Sequence, residues 1–143
     1  MTTLAEIMTT DLITVTPDTL GVKIAEIFEN NEFHHIPVVD DNGKLQGIIS
    51  KSDYLVLCNS MTRLQKDKQK SQNDRFFKSL LASDIMTKDV ATLGENYSIK
   101  VAAGIFRENL FHAIPVVDKE KNIKGIVTTF DLINYAFKQP AFF

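Results

Sequence analysis

Phe33-His34-His35-Ile36-Pro37-Val38-Val39-Asp40, running on to Gly47-Ile48-Ile49-Ser50-Lys51-Ser52-Asp53, decides the fold, because the chain carries it twice. Phe111-His112-Ala113-Ile114-Pro115-Val116-Val117-Asp118 and Gly125-Ile126-Val127-Thr128-Thr129-Phe130-Asp131 follow on a constant offset without a gap. Ile7-Met8-Thr9 and Ile85-Met86-Thr87 keep the same offset, as do Ala25 and Ala103, Ile27 and Ile105, and Phe28 and Phe106. A repeat matched this closely over this length is a duplicated structural unit.

Around this stretch the punctuation gives the elements. Leu4-Ala5-Glu6-Ile7-Met8 reads as a short helical lead-in. Leu12 to Thr16 reads as a strand ended by Pro17. Asp18 or Thr19 is the expected N-cap of a helix to Asn31, whose apolar face carries Leu20, Ile24, Ile27 and Phe28. Ile36–Val39 and Leu45–Ile49 are strands joined by Asp41-Asn42-Gly43, a strong hairpin signal, and a helix starts near Asp53. The second copy repeats the plan: a strand at Val90–Leu93, then a helix over 96–109 with Val101, Ala102, Ile105 and Phe106 facing inward. Hairpin strands at Ile114–Val117 and Ile123–Val127 and a closing helix over Asp131–Phe137 complete it. The second hairpin turn, Lys119-Glu120-Lys121-Asn122, has no glycine, so its type stays open. The expected fold class is α+β: two β-α-β-β-α repeats, 1–58 and 80–138, related by pseudo-two-fold symmetry. Each is too small to bury a comfortable core alone, so the two are expected to share one.

Composition bounds the function. The chain has 143 residues, 44% of them apolar, and a net charge of −2, which speaks against general binding of nucleic acid or anionic membrane. The single cysteine, Cys58, excludes an internal disulfide and fits a reducing compartment. No apolar run approaches a membrane span, and the N-terminus lacks the plan of a signal peptide, so a cytoplasmic protein is expected. Residues 59–79 form a polar connector. From Arg63 to Lys78 six basic residues face two acidic ones, and no apolar residue occurs between Gln65 and Arg75. That composition reads as a solvated helical extension or a mobile loop, or else as a basic lid that meets phosphate or a partner. The tail 139–143 ends in Phe142-Phe143, two aromatics in need of a surface.

Paired units with h-P-V-V-D strands followed by G-h-h-[S/T]-x-x-D resemble tandem cystathionine-β-synthase (CBS) domains, often called a Bateman module. The resemblance spans nearly the whole chain and implies a stand-alone regulatory protein that binds adenosine nucleotides in clefts between its repeats and commonly dimerises. Carried onto these residues, one cleft uses Ile48, Ser50, Ser52 and Asp53 with Ala91, Phe111, His112, Ala113 and Pro115. The other uses Ile126, Thr128, Phe130 and Asp131 with Ile13, Phe33, His34, His35 and Pro37. The expected ligand is AMP, ADP or ATP, ahead of S-adenosylmethionine or NAD, and the expected partners are a second copy of the chain and a regulated protein in trans. Ile13, His35 and Phe130 narrow the second cleft, whereas Ala91 and Ala113 open the first, so the Asp53 cleft is expected to be the tighter site.

The chemistry of the motif admits two readings. Ser50 and Thr128 stand where a helix begins, and there a hydroxyl and free backbone N–H groups can meet a phosphate. Asp53 and Asp131, three residues on, can accept from both hydroxyls of a ribose. The same spacing also describes a capping box, in which the acid only reaches back to the cap N–H. His34, His35 and His112 invite a metal, but no cysteine or acid stands at short fixed spacing, and no metal site is expected. Nucleophile elbow, P-loop and dinucleotide fingerprint are all missing from the sequence, so an enzyme is not expected. A ligand-sensing module is set against a constitutive dimeric scaffold with vestigial clefts.

Overall fold

The computed structural model of the chain describes residues 1–64 and 79–138. In the first repeat α1 (Leu4–Ile7) leads to α2 (Gly21–Asn30), strands β1 (His35–Val39) and β2 (Leu45–Ser50), and α3 (Lys51–Leu64). In the second, α4 (Ala82–Ile85) leads to β3 (Leu93–Gly94), α5 (Ile99–Arg107), β4 (Ala113–Val117), β5 (Ile123–Thr128) and α6 (Thr129–Phe137). The α+β repeat therefore has the expected order. The connector expected over 59–79 begins as helix, because α3 runs on to Leu64. The rest of that expectation, and the one for the aromatic tail, lie outside the described residues.

The first strand of each repeat is shorter than its sequence suggests. In the first repeat only Val15 pairs, in parallel with Val38, through Val15 N–H to Pro37 O (3.1 Å) and Val39 N–H to Val15 O (2.8 Å). The Thr16 N–H donates to Thr19 Oγ1 (3.0 Å) and the Thr19 N–H to Thr16 O (3.0 Å), a turn that ends the strand. In the second repeat β3 keeps two residues, Leu93 and Gly94, in parallel pairing with β4.

That turn also corrects the expected helix cap. The Thr19 hydroxyl is already engaged, so α2 starts from Leu20, with no side-chain cap bond. Its open N–H groups look elsewhere, and Gly21 N–H donates to Leu80 O at 2.8 Å. Leu20 is consequently not on the buried face but 47% exposed. On α5 the cap is Ser98, whose hydroxyl accepts from Lys100 N–H, and the buried residue is Ala102. Val101 departs from its expected inward face and is 38% exposed.

The chain divides into two compact units that do not coincide with the sequence repeats. The first unit holds Ile13–Asn42 and Gln46–Asp89, and the second Met1–Leu12, Gly43–Leu45 and the chain from Val90 onward. Each unit thus contains the lead-in of the other repeat. In the first unit Ala82, fully buried, sits in a core of Val15, Ile24, Ile27, Phe28, Ile36, Val38, Ile49 and Tyr54. In the second unit Leu4, also fully buried, joins Ala102, Ile114, Val116 and Val127. In place of the one shared core expected there are two, one in each unit, and what the repeats share is the exchanged lead-ins.

Backbone bridges fasten the exchanged segments. Thr87 N–H donates to Ile48 O (2.8 Å) and Ile48 N–H to Thr87 O (3.0 Å), and Thr9 and Ile126 exchange the same pair of bonds at 2.8 and 3.0 Å. Such closeness requires glycine beside the bridge. A Cβ on Gly47 would lie 2.7 Å from Thr87 O, and one on Gly125 would lie 2.9 Å from Thr9 O and 2.7 Å from Met8 Sδ. Among the hairpin turns, Gly43 has φ +84°, and Lys121, at the same offset in the second repeat, takes the left-handed conformation with φ 68°. The Asp118 carboxylate holds that turn by accepting from Glu120 N–H (2.8 Å) and Asn122 N–H (2.9 Å). These bonds, with Lys124 nearby, keep its carboxyl below the usual range.

Candidate nucleotide-binding corners

Each unit carries two of the expected site features side by side. The hairpin brings the start of its first strand against the end of its second: Lys51 N–H donates to His34 O at 2.8 Å, and Thr129 N–H to His112 O at 3.3 Å. In the second unit Ala113 pairs with Thr128 and Pro115 with Ile126. So the strand entrance and the [S/T]-x-x-D corner of one repeat are neighbours within a unit. Each expected cleft takes an entrance from one unit and a corner from the other.

At the first corner β2 delivers Ser50 to the amino end of the 14-residue helix α3. Ser50 is half-buried, while Ser52 and Asp53 are exposed on the first turn. Asp53 N–H donates to Ser50 Oγ at 3.0 Å, which is one half of a capping box. Among the described residues the exposed Asp53 carboxylate accepts no hydrogen bond. Lys51, two residues before Asp53 in the chain, is half-buried. The sequence could not separate cap from ligand acid, and at this corner the acid is not acting as a cap.

At the second corner the cap is complete. Thr128 Oγ1 accepts from Asp131 N–H (3.2 Å), and Asp131 Oδ2 accepts from Thr128 N–H (2.9 Å) and Thr128 Oγ1 (3.1 Å). Thr9 Oγ1, from the exchanged lead-in, donates to Asp131 Oδ1 at 3.1 Å and reaches Oδ2 at 3.4 Å. Sequence reasoning did not single out Thr9. Its signal was the shared Ile-Met-Thr offset, whose partner only the fold reveals. Two further differences separate the corners: Ile126 is buried where Ile48 is half-buried, and Phe130 is 68% exposed where Ser52 stands in the first repeat.

The strand entrances differ as well. In the first unit Ile13 and Phe33 are half-buried against the core, His34 is exposed, His35 opens β1 and Pro37 is fully buried. In the second, Phe111 and His112 are exposed, Ala113 is half-buried and Pro115 fully buried. Ala91 and Phe111 line a cavity of about 500 Å³ with Val101, Gly104, Ile105 and Leu110. At the same offset in the first unit, Ile13 lines one of about 440 Å³ with Lys23, Glu26, Ile27 and Asn30. Glu108 also lines the second cavity, and the first carries more polar side chains, among them Lys23 and Glu26, paired at 3.6 Å. Among the described residues no group of three or more His, Cys, Asp and Glu side chains is placed to hold a metal. None of their helices is long and apolar enough to cross a membrane.

With this geometry in view, comparison with known proteins gives a consistent result. The family model of the CBS domain matches twice, over residues 4–58 and 82–138. An uncharacterised Methanocaldococcus jannaschii protein, MJ1225, is 34% identical over 128 residues, which is 90% of this chain and 45% of the relative. This chain spans less than half the length of the first curated relatives it matches. Among solved structures, CBSX2 in complex with AMP superposes with a TM-score of 0.77 at 26% identity, covering 95% of this chain and 96% of that one. The CBS domain pair of MJ0100, in complex with 5'-methylthioadenosine and S-adenosyl-L-methionine, gives 0.72 at 26% identity, covering 94% and 95%.

Proposed function

This chain belongs to the CBS-domain family, and on that premise we propose that it is a ligand-sensing regulatory module rather than an enzyme. It binds an adenine nucleotide of the AMP, ADP or ATP type and signals its occupancy to another protein. The observation that carries this reading is the first corner, where a long helix begins beside a hydroxyl and a carboxylate that accepts no bond within the described chain. Such a carboxylate can take both hydroxyls of a ribose, and the first-turn N–H groups and Ser52 can meet phosphate oxygens. Adenosine-type ligands in two structural relatives, AMP in one and 5'-methylthioadenosine with S-adenosyl-L-methionine in the other, support the ligand class.

A thermal-shift series with AMP, ADP, ATP, S-adenosylmethionine and NAD tests it. A ligand that binds the folded chain alone raises the midpoint, by an amount that grows with its concentration over Kd. Unmoved midpoints with all five at millimolar concentration would contradict the reading.

A second reading, a constitutive dimeric scaffold, is favoured by the apolar side chains left open on α6. Phe130 is 68%, Ile133 58% and Phe137 82% exposed, more than a monomer ordinarily leaves to water on one helix. In the scaffold reading the clefts are vestigial, so ligand-dependent stability decides between it and the sensing module.

A further inference from the structure

The lead-in threonines are placed alike in both units, yet they do different things. Thr9 and Thr87 exchange the same two backbone bonds with Ile126 and Ile48. Both therefore stand beside the [S/T]-x-x-D corner of their own unit. Only Thr9 spends its hydroxyl on the acid there, donating to Asp131 at 3.1 Å. With the two bonds from Thr128, three of the roughly four acceptor positions of that carboxylate are filled. A ribose diol needs two such positions, so at least one internal bond must break before it binds. At the Asp53 corner nothing within the described chain needs to be displaced.

The two corner hydroxyls are placed alike, each accepting from the N–H of the acid three residues on. The corners differ in what the carboxylate accepts: Thr128 N–H, Thr128 Oγ1 and Thr9 Oγ1 at Asp131, and no bond within the described chain at Asp53.

We infer that Thr9 is a built-in competitor at the Asp131 corner: its hydroxyl occupies the carboxylate a ribose would need and makes the two adenine-nucleotide sites unequal. This rests on the nucleotide reading above and adds its control element, a residue of the exchanged lead-in. The cost of displacing it falls on the Asp131 site alone.

The test uses the full chain with AMP as probe, in titration calorimetry. With Asp53→Asn in place so that the Asp131 corner is read by itself, Thr9→Val keeps the branched shape and removes the hydroxyl. AMP affinity is expected to rise by about three- to tenfold, the worth of one net hydrogen bond. Unchanged or weakened binding would overturn the inference, because the hydroxyl would then be a bystander or a ligand contact. With Asp131→Asn in place, Thr87→Val is expected to shift AMP affinity at the Asp53 corner by less than about twofold, well inside the range of one hydrogen bond. An equal gain there would also overturn it. Should no variant take up AMP, the nucleotide reading fails, and the contact is tested separately by melting Thr9→Val, Asp131→Ala and the double variant. Non-additive shifts sustain the Thr9–Asp131 bond and additive ones refute it.

Discussion

Alanine at position 125 would strike the joint on which the exchanged fold depends. The new Cβ would lie 2.9 Å from Thr9 O and 2.7 Å from Met8 Sδ. The Met8 side chain can swing aside, since its thioether arm is flexible. The carbonyl cannot, unless the two backbone bonds between Thr9 and Ile126 lengthen or open. Two such bonds are worth about 0.5–1.5 kcal/mol each, and an overpacked contact costs about 1–3 kcal/mol. Against this, replacing glycine narrows the unfolded ensemble and returns about 0.4–1 kcal/mol. The net loss is about 3 kcal/mol, which for a chain of this length lowers Tm by roughly 9 °C. Gly104→Ala is the control: nothing lies within 4 Å of its added Cβ, in the exposed interior of α5. There helix propensity alone acts, and Tm should rise by roughly 2–3 °C, from about 0.5–1 kcal/mol. Thermal unfolding followed by circular dichroism reads both. If Gly125→Ala melted within about 1 °C of the parent, well inside the expected shift, the lead-in would not pack against β5 as described.

The remaining expectations follow from single contacts. Asp131→Ala should cost about 1 kcal/mol, as a lost helix cap does, whereas Asp53→Ala should change stability by less than about 0.5 kcal/mol because its carboxylate caps nothing; chemical denaturation of both variants decides. Tyr54 is buried, stacks on Phe28 at 5.2 Å, and has its phenol pushed up by burial, by the hydrogen bond with Cys58 and by Glu29. A folded-state pKa above the unfolded one gives stability that is whole below the unfolded value, about 10, and lost as pH climbs beyond it. Tyr54→Phe should flatten that alkaline limb in melts taken from pH 8 to 11, and an unchanged limb would count against it. The open apolar side chains of α6 lead us to expect a two-fold homodimer that Phe137→Glu weakens. Sedimentation of the parent as a monomer alone, at concentrations on the order of tens of micromolar, would refute this.

Most of the fold was legible because its signals are local. The period of Ile24, Ile27 and Phe28 marks a helix, Pro37 and Pro115 mark matched strands, and Asn42-Gly43 marks a turn. What was not legible depends on chain that is distant in sequence. Thr19 looks like a cap, but its hydroxyl closes a turn with Thr16, and Leu80 supplies the acceptor that α2 needs. Val101 keeps helical spacing with Ala102 and Ile105 yet faces a cavity beside Gly104. The exchange of lead-ins has no sequence signature at all, because Leu4 and Ala82 are apolar enough for either core. For the candidate site, spacing singled out Ser50, Asp53, Thr128 and Asp131 but could not say which acid is a cap. That depends on a third residue, Thr9, more than a hundred positions from Asp131. The turn at Lys121 shows the same limit: a left-handed residue without glycine is held there by Asp118, which the sequence offers only as the end of a strand.

Titration calorimetry of AMP against the parent, Asp53→Asn and Asp131→Asn tests the central claim most directly. Exchanging the Asp53 carboxylate for an amide removes a charge-assisted acceptor worth about 1.5–3 kcal/mol. The tighter site should therefore weaken by roughly ten- to a hundredfold in Asp53→Asn, while in Asp131→Asn it keeps its affinity. Loss of binding in Asp131→Asn, with Asp53→Asn indistinguishable from the parent, would contradict the account.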